Sequence, residues 1–465
     1  MSESAGTRPL RRSVLLAFVL PSVVLGIMHG PEGQIQAVYA KHAGLSLSAL
    51  AMAILFTRLF DGITYPLIGY LSDRSYARSG TRRNWVLAGG ALSVVGIWFL
   101  LRPPPQVTIW YFGIWSAVTY LGWKVIEIPL QAWSYGLSAD YGQRARVQAW
   151  RAFAMISGPM LFFMTPFLAM KLGYSDSTEL DFRTLGFAAV ICAWALPLAT
   201  AILVLRVHAG QAAPPAVRRE RFSARDVLAA LRGNKPLLRL LAAFLPFNVL
   251  GQMSAGVSYL YIDTYLGLSE QSPAIMMVSL LATALGIPFW SAMAARYERH
   301  RVWAVSLICC GTALGSTALL SPGALALPFM FVLYPIGTFG LIGYVIVLTM
   351  SADIVDYGRF HTGQDHGGLY GSMVAFLQKS MMSVAVAAGI GLVGLFGFDA
   401  TAKLQSVGGV VGIKLVSAIL PALGLFGSAL IIWNYPLTRA RTEEIQRALA
   451  ERDRQAAGQQ LRSPN

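Results

Sequence analysis

The segment RLFDGITYPLIGYLSDRSYARSGTRRNW, residues 58–85, decides the fold because it places ionisable side chains inside an apolar stretch. Arg58 and Asp61 have Leu, Phe and Ile as neighbours, and Tyr65 stands directly before Pro66. The segment then ends in a run of basic residues. An ionised side chain at bilayer depth is costly unless it is paired or hydrated. Such residues therefore indicate a bundle interior or a water-filled cavity.

The composition predicts a polytopic membrane protein. The 465 residues are 55% hydrophobic and only 13% charged, which is unusual for a soluble globular chain. The sequence contains about twelve apolar stretches of roughly 20 residues or more, each long enough to cross ~30 Å of hydrocarbon as a helix. We place them at residues 13–39, 46–72, 84–102, 107–138, 147–170, 184–206, 237–265, 271–295, 301–320, 326–352, 369–396 and 409–434. The expected fold class is an all-α protein with twelve transmembrane helices.

The net charge of +15 is interpreted as a topology signal. If both termini are cytoplasmic, most Arg and Lys residues outside the spans fall on the cytoplasmic side, as the positive-inside rule requires. The opposite side receives few, such as Lys41, Arg102 and Lys171. We therefore expect a protein of the cytoplasmic (inner) membrane with both termini cytoplasmic, and no nucleic-acid partner.

Two halves of the chain flank a polar linker, HAGQAAPPAVRRERFSARD, residues 208–226, whose composition cannot cross a membrane or pack a core. PLIGYLSDR (66–74) ends the second span, and PFWSAMAAR (288–296) ends the eighth with the same Pro-to-Arg spacing. SADYG (138–142) and SADIVDYG (351–358) follow the fourth and tenth spans. Such repeats indicate a transporter with a central site. The expected domains are an N-terminal six-helix bundle (1–207), a cytoplasmic linker (208–236), a C-terminal six-helix bundle (237–434) and a cytoplasmic tail (435–465).

Few ionisable residues lie inside the predicted spans. Arg58 and Asp61 share a helical face at spacing i, i+3, as do Lys124 and Glu127, so local pairing is available to both pairs. The first pair has two open interpretations, a functional site and a structural lock between helices. The second pair lies mid-span and favours a cavity for a polar ligand.

Other residues near these pairs carry similar alternatives. Trp123 and Trp133 flank the Lys124–Glu127 region, as aromatic rings do in polar-ligand cavities, but a Trp in a span also serves packing. Arg151 lies near the start of the fifth span, where it either acts in the cavity or extends its charged end to the membrane interface. His29 and Glu32 lie near the outer end of the first span, where we expect solvated roles.

Three segments carry a resemblance to a known family. Residues 58–85 contain in order an Arg, an Asp, a position before Pro66, a G-x-x-x-D-R loop and basic residues. The others are EIPLQAWSYGLSADYGQRARVQAWR (127–151) and ADIVDYGRFHTGQDHGG (352–368), which is followed by Lys379. In this order they resemble the major facilitator superfamily, and within it the glycoside–pentoside–hexuronide:cation symporters that include the melibiose permeases. The resemblance implies two six-helix bundles and alternating access.

The resemblance also implies substrate-binding residues. Glu127 stands at the place of the family's acidic sugar-binding residue in the fourth span. Arg151 and Lys379 stand at cationic positions of the substrate and coupling region. With Trp123 and Trp133, these residues form the expected substrate-binding set.

The coupling residues depart from the family pattern. In the resembling family, sodium is bound by an Asp, by the Asp of the Asp–Pro pair, and by a hydroxyl residue three positions before the acidic residue of the fourth span. Here the corresponding residues are Asp61, Tyr65 and Lys124, with Arg58 beside them. An ammonium group repels sodium and can take its place beside Asp61. We expect sodium-independent transport, coupled to protons through Asp61 or Lys124 or not coupled; in the alternative, Lys124 pairs only with Glu127.

Charged residues near cytoplasmic helix ends are expected to form gates. Asp73, Arg74, Asp353 and Asp356 can bridge helices in one conformation and separate in the other. The sequence contains no G-x-x-x-x-G-K-[ST] motif, so ATP-driven transport is not expected.

The sequence favours a secondary transporter, symporter or facilitator, of a small organic solute that is glycoside-like. The alternative solute is an amphiphile such as a lysolipid, and a membrane-embedded transferase is a third hypothesis. HExxH and GxSxG motifs are absent from the sequence, which argues against an enzyme. We expect no cofactor besides the coupling ion, no metal site, and no partner besides the solute and the lipid bilayer, for a monomeric protein.

Overall fold

Helices make up nearly all of the secondary structure in the computed structural model, which describes residues 11–138, 140–207, 233–363 and 367–462. Most of the predicted linker therefore lies outside the described residues. The helices, numbered along the chain, are α1 Arg12–His29, α2 Ile35–Ala43, α3 Leu47–Ser79, α4 Arg83–Leu101, α5 Ile109–Gly136, α6 Tyr141–Lys171, α7 Phe182–Arg206, α8 Lys235–Val249, α9 Ser272–Arg296, α10 Arg299–Thr317, α11 Ala326–Leu341, α12 Val345–Thr362, α13 Gly367–Leu395, α14 Val407–Lys414, α15 Leu420–Trp433 and α16 Arg439–Arg462.

The length and hydropathy of the helices are those of a membrane protein. Within the described ranges, nine helical stretches are long and apolar enough to cross a membrane, where α11 with α12 and α14 with α15 each count as one stretch. Each stretch coincides with a span expected from sequence. The other expected spans are also helical and correspond to α5, α10 and α13. The all-helical membrane architecture is therefore confirmed, whereas a count of twelve crossings stays a prediction.

The described chain divides into two compact units. Unit 1 comprises the described residues within Met1–Arg219, Gly256–Met277 and Ile390–Val410, and unit 2 those within Glu220–Ala255, Val278–Gly389 and Val411–Asn465. The domain boundaries expected from sequence stay a prediction.

In unit 1, α1 packs against α6 and α7, α4 packs against α5 and α7, and α3 packs against α5.

Local hydrogen bonds and a glycine define the ends of two helices in this unit. The Ser46 side chain accepts a hydrogen bond from the Ala49 N–H at the start of α3, and Gly80 ends that helix with φ 65°. Asp181 and Thr184 form a capping box at the start of α7.

Unit 2 has its own apolar core. Trp303 is fully buried and meets Phe244 and Phe247 at ring-centroid distances of 5.9 and 6.1 Å. The amphipathic helix α16 adds the buried side chains of Ile445 and Leu449 to the same core. The C-terminal helix is therefore part of the folded unit.

The first span is interrupted. The segment GPEG at Gly30–Gly33 forms a 3₁₀ turn between α1 and α2. Pro31 lacks an N–H, and Gly30 lies so close to Phe162 that a Cβ there would be 2.4 Å from the Phe162 Cβ. The continuous span expected over 13–39 is therefore two helices with a turn at Glu32. Interrupted helices in membrane proteins are tolerated where they are buried in protein or line a cavity.

Two glycines bring α1 and α6 into backbone contact. A Cβ on Gly158 would lie 2.5 Å from the Cα of Gly26, and a Cβ on Gly26 would lie 2.8 Å from the Cα of Gly158. Small residues permit such close packing in membrane helix bundles. The crossing fixes α6, which carries Arg151, beside α1.

Gly158→Ala should destabilise the protein by about 1–3 kcal/mol because the new methyl group meets backbone atoms that cannot move aside. Gly113→Ala is the matched control, since its Cβ would meet only Ala53 at 3.9 Å. That substitution should be neutral or slightly stabilising, by up to about 1 kcal/mol. Thermal unfolding in detergent measures both, and equal melting temperatures for the two variants would contradict the close crossing.

Candidate functional site

Three ion pairs connect four segments of unit 1. Each pair joins two different elements: the turn after α1 to α3, α3 to α5, and α5 to α6. We call these six residues the ionic ladder: Glu32, Arg58, Asp61, Lys124, Glu127 and Arg151. Three acidic and three basic side chains give the ladder no net charge.

The first pair of the ladder is Glu32 with Arg58. His29 holds the same carboxylate, with its Nδ1 3.2 Å from the Glu32 Oε2. Arg58 also lies 3.8 Å from the Asp61 carboxylate, and its guanidinium sits 5.0 Å from the centre of the Tyr120 ring. The local Arg58–Asp61 contact expected from sequence is therefore part of a larger arrangement.

The second pair of the ladder is Lys124 with Asp61. The Lys124 ammonium also donates to the Asp61 backbone carbonyl oxygen at 3.1 Å and to the Thr64 hydroxyl at 3.2 Å. Lys124 thus lies among three oxygens that belong to one turn of α3. The pairing with Asp61 is the one expected from sequence, and its role in coupling stays a prediction.

The third pair of the ladder is Glu127 with Arg151. Arg151 also donates to the Ser134 hydroxyl at 3.3 Å. Gln148 donates to the same hydroxyl at 3.0 Å, and that hydroxyl donates to the Gln131 carbonyl at 2.6 Å. Arg151 is therefore held inside the helix bundle at this end of the ladder.

The cation of each ladder pair is more buried than its carboxylate. The exposed side-chain fractions are 23% for Arg58 against 33% for Glu32, 4% for Lys124 against 17% for Asp61, and 10% for Arg151 against 26% for Glu127. The ladder thus presents its acidic side chains more than its basic ones at the surface of unit 1, most clearly at Asp61 and Glu127. Charged oxygens within membrane-spanning helices are strongly disfavoured against lipid. This arrangement requires water or a polar ligand beside the ladder.

The two tryptophans expected in the cavity differ in position. The Trp123 ring lies 4.1 Å from the His29 ring, centre to centre, next to the Glu32–Arg58 pair. Trp133 is buried and packs edge-on against Phe18 at 6.2 Å. Trp123 is therefore beside the ladder, whereas Trp133 packs in the core of the unit, and the roles of both in binding stay predictions.

Tyr65 and Lys379 are the remaining predicted site residues. Tyr65 is 41% exposed on α3, one turn beyond Asp61. Lys379 belongs to α13, but its side chain lies outside the described part of the structure.

Two of the expected gate residues, Asp73 and Arg74, lie in the last two turns of α3, whereas Asp353 lies in the middle of α12 and Asp356 one turn further along, because α12 continues to Thr362. Asp73 accepts a hydrogen bond from Arg82 at 2.8 Å, and the neighbouring Arg74 is exposed. In unit 2, Asp353 pairs with Arg299. Asp356 accepts a hydrogen bond from Gln446 of the C-terminal helix at 3.0 Å. Ion pairs thus exist at two of these positions, and the gating role stays a prediction.

His29 and Glu32 belong to the site although the sequence favoured a solvated role for both. Their position follows from the turn at GPEG, which directs them toward Arg58 and Trp123. The Gly-Pro pair inside an apolar span was the available signal, because it predicts an interruption of the helix.

A second group of charges lies at the opposite end of α2, where Lys41, His42 and Glu179 fall outside the spans expected from sequence. Lys41 lies 2.8 Å from the Glu179 carboxylate and 2.7 Å from that of Asp263. His42 lies 3.2 Å from the same Glu179 oxygen. The contact with His42, and then the Lys41 ammonium, lower the pKa of Glu179 to about 2, against the burial that would raise it. These contacts join α2 and the α6–α7 loop to the segment around Asp263.

Arg151→Met should destabilise the protein by about 3 kcal/mol, because it leaves Glu127 charged and without its cation. The double variant Glu127→Gln with Arg151→Met should recover most of that loss. Thermal unfolding in detergent measures both variants. The matched control is Arg183→Met, because Arg183 and Asp176 form a pair whose side chains are 67% and 97% exposed. This control should change stability by less than about 0.5 kcal/mol, and a double variant as unstable as Arg151→Met would contradict the pairing.

Glu179 should make the stability of the folded protein depend on pH in the acid range. Its folded-state pKa of about 2 lies below the ordinary value of 4.5, so its contribution is complete above pH 4.5 and is lost as the pH falls toward 2. Melting temperatures of wild type and Glu179→Gln should differ by a constant amount above pH 5 or so and converge below it. A difference that persists unchanged at acid pH would contradict the lowered pKa.

Comparisons with known proteins find relatives that are named as carriers or symporters. The chain is 26% identical to the Inner membrane symporter YicJ of Escherichia coli, with 90% of this chain and 91% of the relative covered. It is 25% identical to the Glucuronide carrier protein homolog of the same bacterium, with 88% of each chain covered. It is 20% identical to the Sodium-dependent lysophosphatidylcholine symporter 1-A of Danio rerio, covering 84% of this chain and 80% of the relative.

Solved structures show the same fold. A bacterial homolog of the human lysosomal transporter Spinster, in an inward-facing and unoccupied conformation, superposes with a TM-score of 0.61 at 14% identity, covering 96% of this chain and 99% of that one. The family model described as MFS/sugar transport protein matches residues 17–439. The family is one of transporters and not of enzymes, as the sequence predicted. This chain is a membrane transporter that belongs to the MFS/sugar transport protein family.

Proposed function

We propose that this chain moves a small glycoside-like solute across the cytoplasmic membrane by alternating access, without sodium. The observation that carries the proposal is the ionic ladder, whose partly exposed carboxylates need a polar environment inside a membrane protein. Carboxylates are strong acceptors for hydroxyl donors, and a glycoside offers several hydroxyl groups. The family match and the relative named a glucuronide carrier homolog support a sugar-related solute.

The membrane arrangement belongs to the same proposal. Twelve spans in two six-helix bundles, with both termini cytoplasmic, place most basic residues on the cytoplasmic side. The relative named an inner membrane symporter supports the cytoplasmic membrane as the location. In this arrangement the protein acts as a monomer, and the pairs Asp73–Arg82 and Asp353–Arg299 open and close cytoplasmic gates.

Within the ladder, Glu127 binds the solute, Arg151 positions the Glu127 carboxylate, and Trp123 stacks against the apolar face of the solute. Glu127 keeps part of its carboxylate exposed, whereas Arg151 stands behind it and fixes its orientation. His29 extends the same surface, and its Nε2 atom is buried without a hydrogen-bond partner among the described residues. A solute hydroxyl can satisfy that nitrogen.

Sodium independence follows from the place that Lys124 occupies. Its ammonium group contacts the Asp61 carboxylate, the Asp61 carbonyl oxygen and the Thr64 hydroxyl. These are the hard oxygen ligands that a sodium ion would need, and the ammonium repels a second cation. A tethered cation therefore replaces sodium, and any coupling uses protons that Asp61 or Lys124 exchanges.

A lysolipid is the second candidate solute, because the Danio rerio relative is named as a lysophosphatidylcholine symporter. A lysolipid would need an apolar opening beside the site for its acyl chain, whereas a glycoside needs the polar ladder alone. Uptake assays with radiolabelled glycosides and with lysophosphatidylcholine in proteoliposomes distinguish the two. Accumulation of intact lysophosphatidylcholine and of no glycoside would replace the first candidate with the second.

Wild-type uptake should be the same in sodium-free and sodium-containing buffer. Lys124→Thr removes the tethered cation and supplies a hydroxyl, so this variant should either lose transport or require sodium. The matched control is Lys171→Thr, at the exposed end of α6, which should leave uptake sodium-independent. The measurement is solute uptake in proteoliposomes at several pH values, and strict sodium dependence of the wild type would contradict the proposal.

A further inference from the structure

The ladder has a front and a back. In all three pairs the carboxylate is the more exposed partner, and the cation lies deeper among the helices. The two buried cations have additional partners besides the carboxylates: Lys124 donates to the Thr64 hydroxyl, and Arg151 donates to the Ser134 hydroxyl. A solute at the surface of unit 1 therefore meets the carboxylate side chains more readily than Lys124 and Arg151, which are buried and already paired.

We propose that the ladder selects an uncharged, hydroxyl-rich solute and rejects the same solute when it carries a carboxylate. This inference rests on the proposed transport of a glycoside-like solute and specifies which glycosides the site accepts. Hydroxyl groups of a neutral sugar donate hydrogen bonds to the exposed oxygens of Glu32, Asp61 and Glu127.

A glycuronide meets two obstacles at the same surface. Its carboxylate lies against carboxylates of the protein, and this repulsion between like charges opposes binding. Binding through Arg58, Lys124 or Arg151 would break an ion pair and leave a carboxylate of the protein without its cation. A site for an anionic solute needs a cation in front, which the ladder does not present within the described part of unit 1.

The test compares matched glycosides. Methyl glycosides of gluco, galacto and manno configuration are compared with the corresponding methyl glycuronides, which differ only in a carboxylate at C6. Uptake into proteoliposomes should give a kcat/KM at least about tenfold higher for the neutral member of any transported pair. Uptake of the glycuronide that equals or exceeds that of the neutral glycoside overturns this inference and leaves the proposed function intact. Uptake of neither member of any pair overturns the proposed function and this inference together.

A substitution that exposes a cation should reverse the preference. Glu127→Gln keeps the side-chain size but removes the carboxylate in front of Arg151, so the ratio should move toward the glycuronide by about tenfold. Glu32→Gln removes the carboxylate beside Arg58 in the same way. It replaces Glu127→Gln in the uptake measurement if the Glu127→Gln protein is not monodisperse. The matched control is Glu179→Gln, which removes a carboxylate from unit 1 away from the ladder and should leave the ratio unchanged. A ratio that does not move in either ladder variant overturns the inference.

Discussion

The structure of unit 1 depends on one constraint: ionised side chains inside a membrane protein must have partners. Six such side chains form the ladder, and each is paired across two helical elements. Because removing one partner leaves a charge that the membrane does not solvate, the pairs hold α3, α5, α6 and the turn after α1 in register. The same pairs leave carboxylate oxygens partly exposed, so the arrangement that holds these helices together also creates a polar surface.

Backbone geometry brings the ladder residues within reach of one another. The turn at Gly30–Gly33 places Glu32 opposite Arg58 and the His29 ring on Trp123. The contact between Gly26 and Gly158 lets α6 approach α1 closely, and α6 carries Arg151. Glycine and proline in apolar spans thus have a positional function here, because they permit an interruption and a close crossing that larger residues would prevent.

Much of the fold could be predicted from the sequence because hydrocarbon thickness imposes a long apolar stretch on every span. The residues of the ladder could also be found, since Arg58, Asp61, Lys124, Glu127 and Arg151 are conspicuous in apolar surroundings. Their partners could not all be assigned, because spacing on one helix shows only local pairs such as Arg58–Asp61. Glu32 pairs instead with a residue of another helix, and Trp133 turned out to pack against Phe18, both of which depend on tertiary packing.

The central claim is that the ladder faces water within a membrane-spanning protein. Tyr65 lies one turn from Asp61 on α3 and is 41% exposed, so a cysteine there reports on the space beside the ladder. In a background without Cys192, Cys309 and Cys310, the Tyr65→Cys protein in lipid nanodiscs is treated with a charged, membrane-impermeant thiol reagent. Trp194→Cys on α7 is the matched control, because that residue is 79% exposed in an apolar helix and should face lipid. The account predicts that the cysteine at position 65 reacts and the one at 194 does not; a cysteine at 65 that stays unmodified would contradict it.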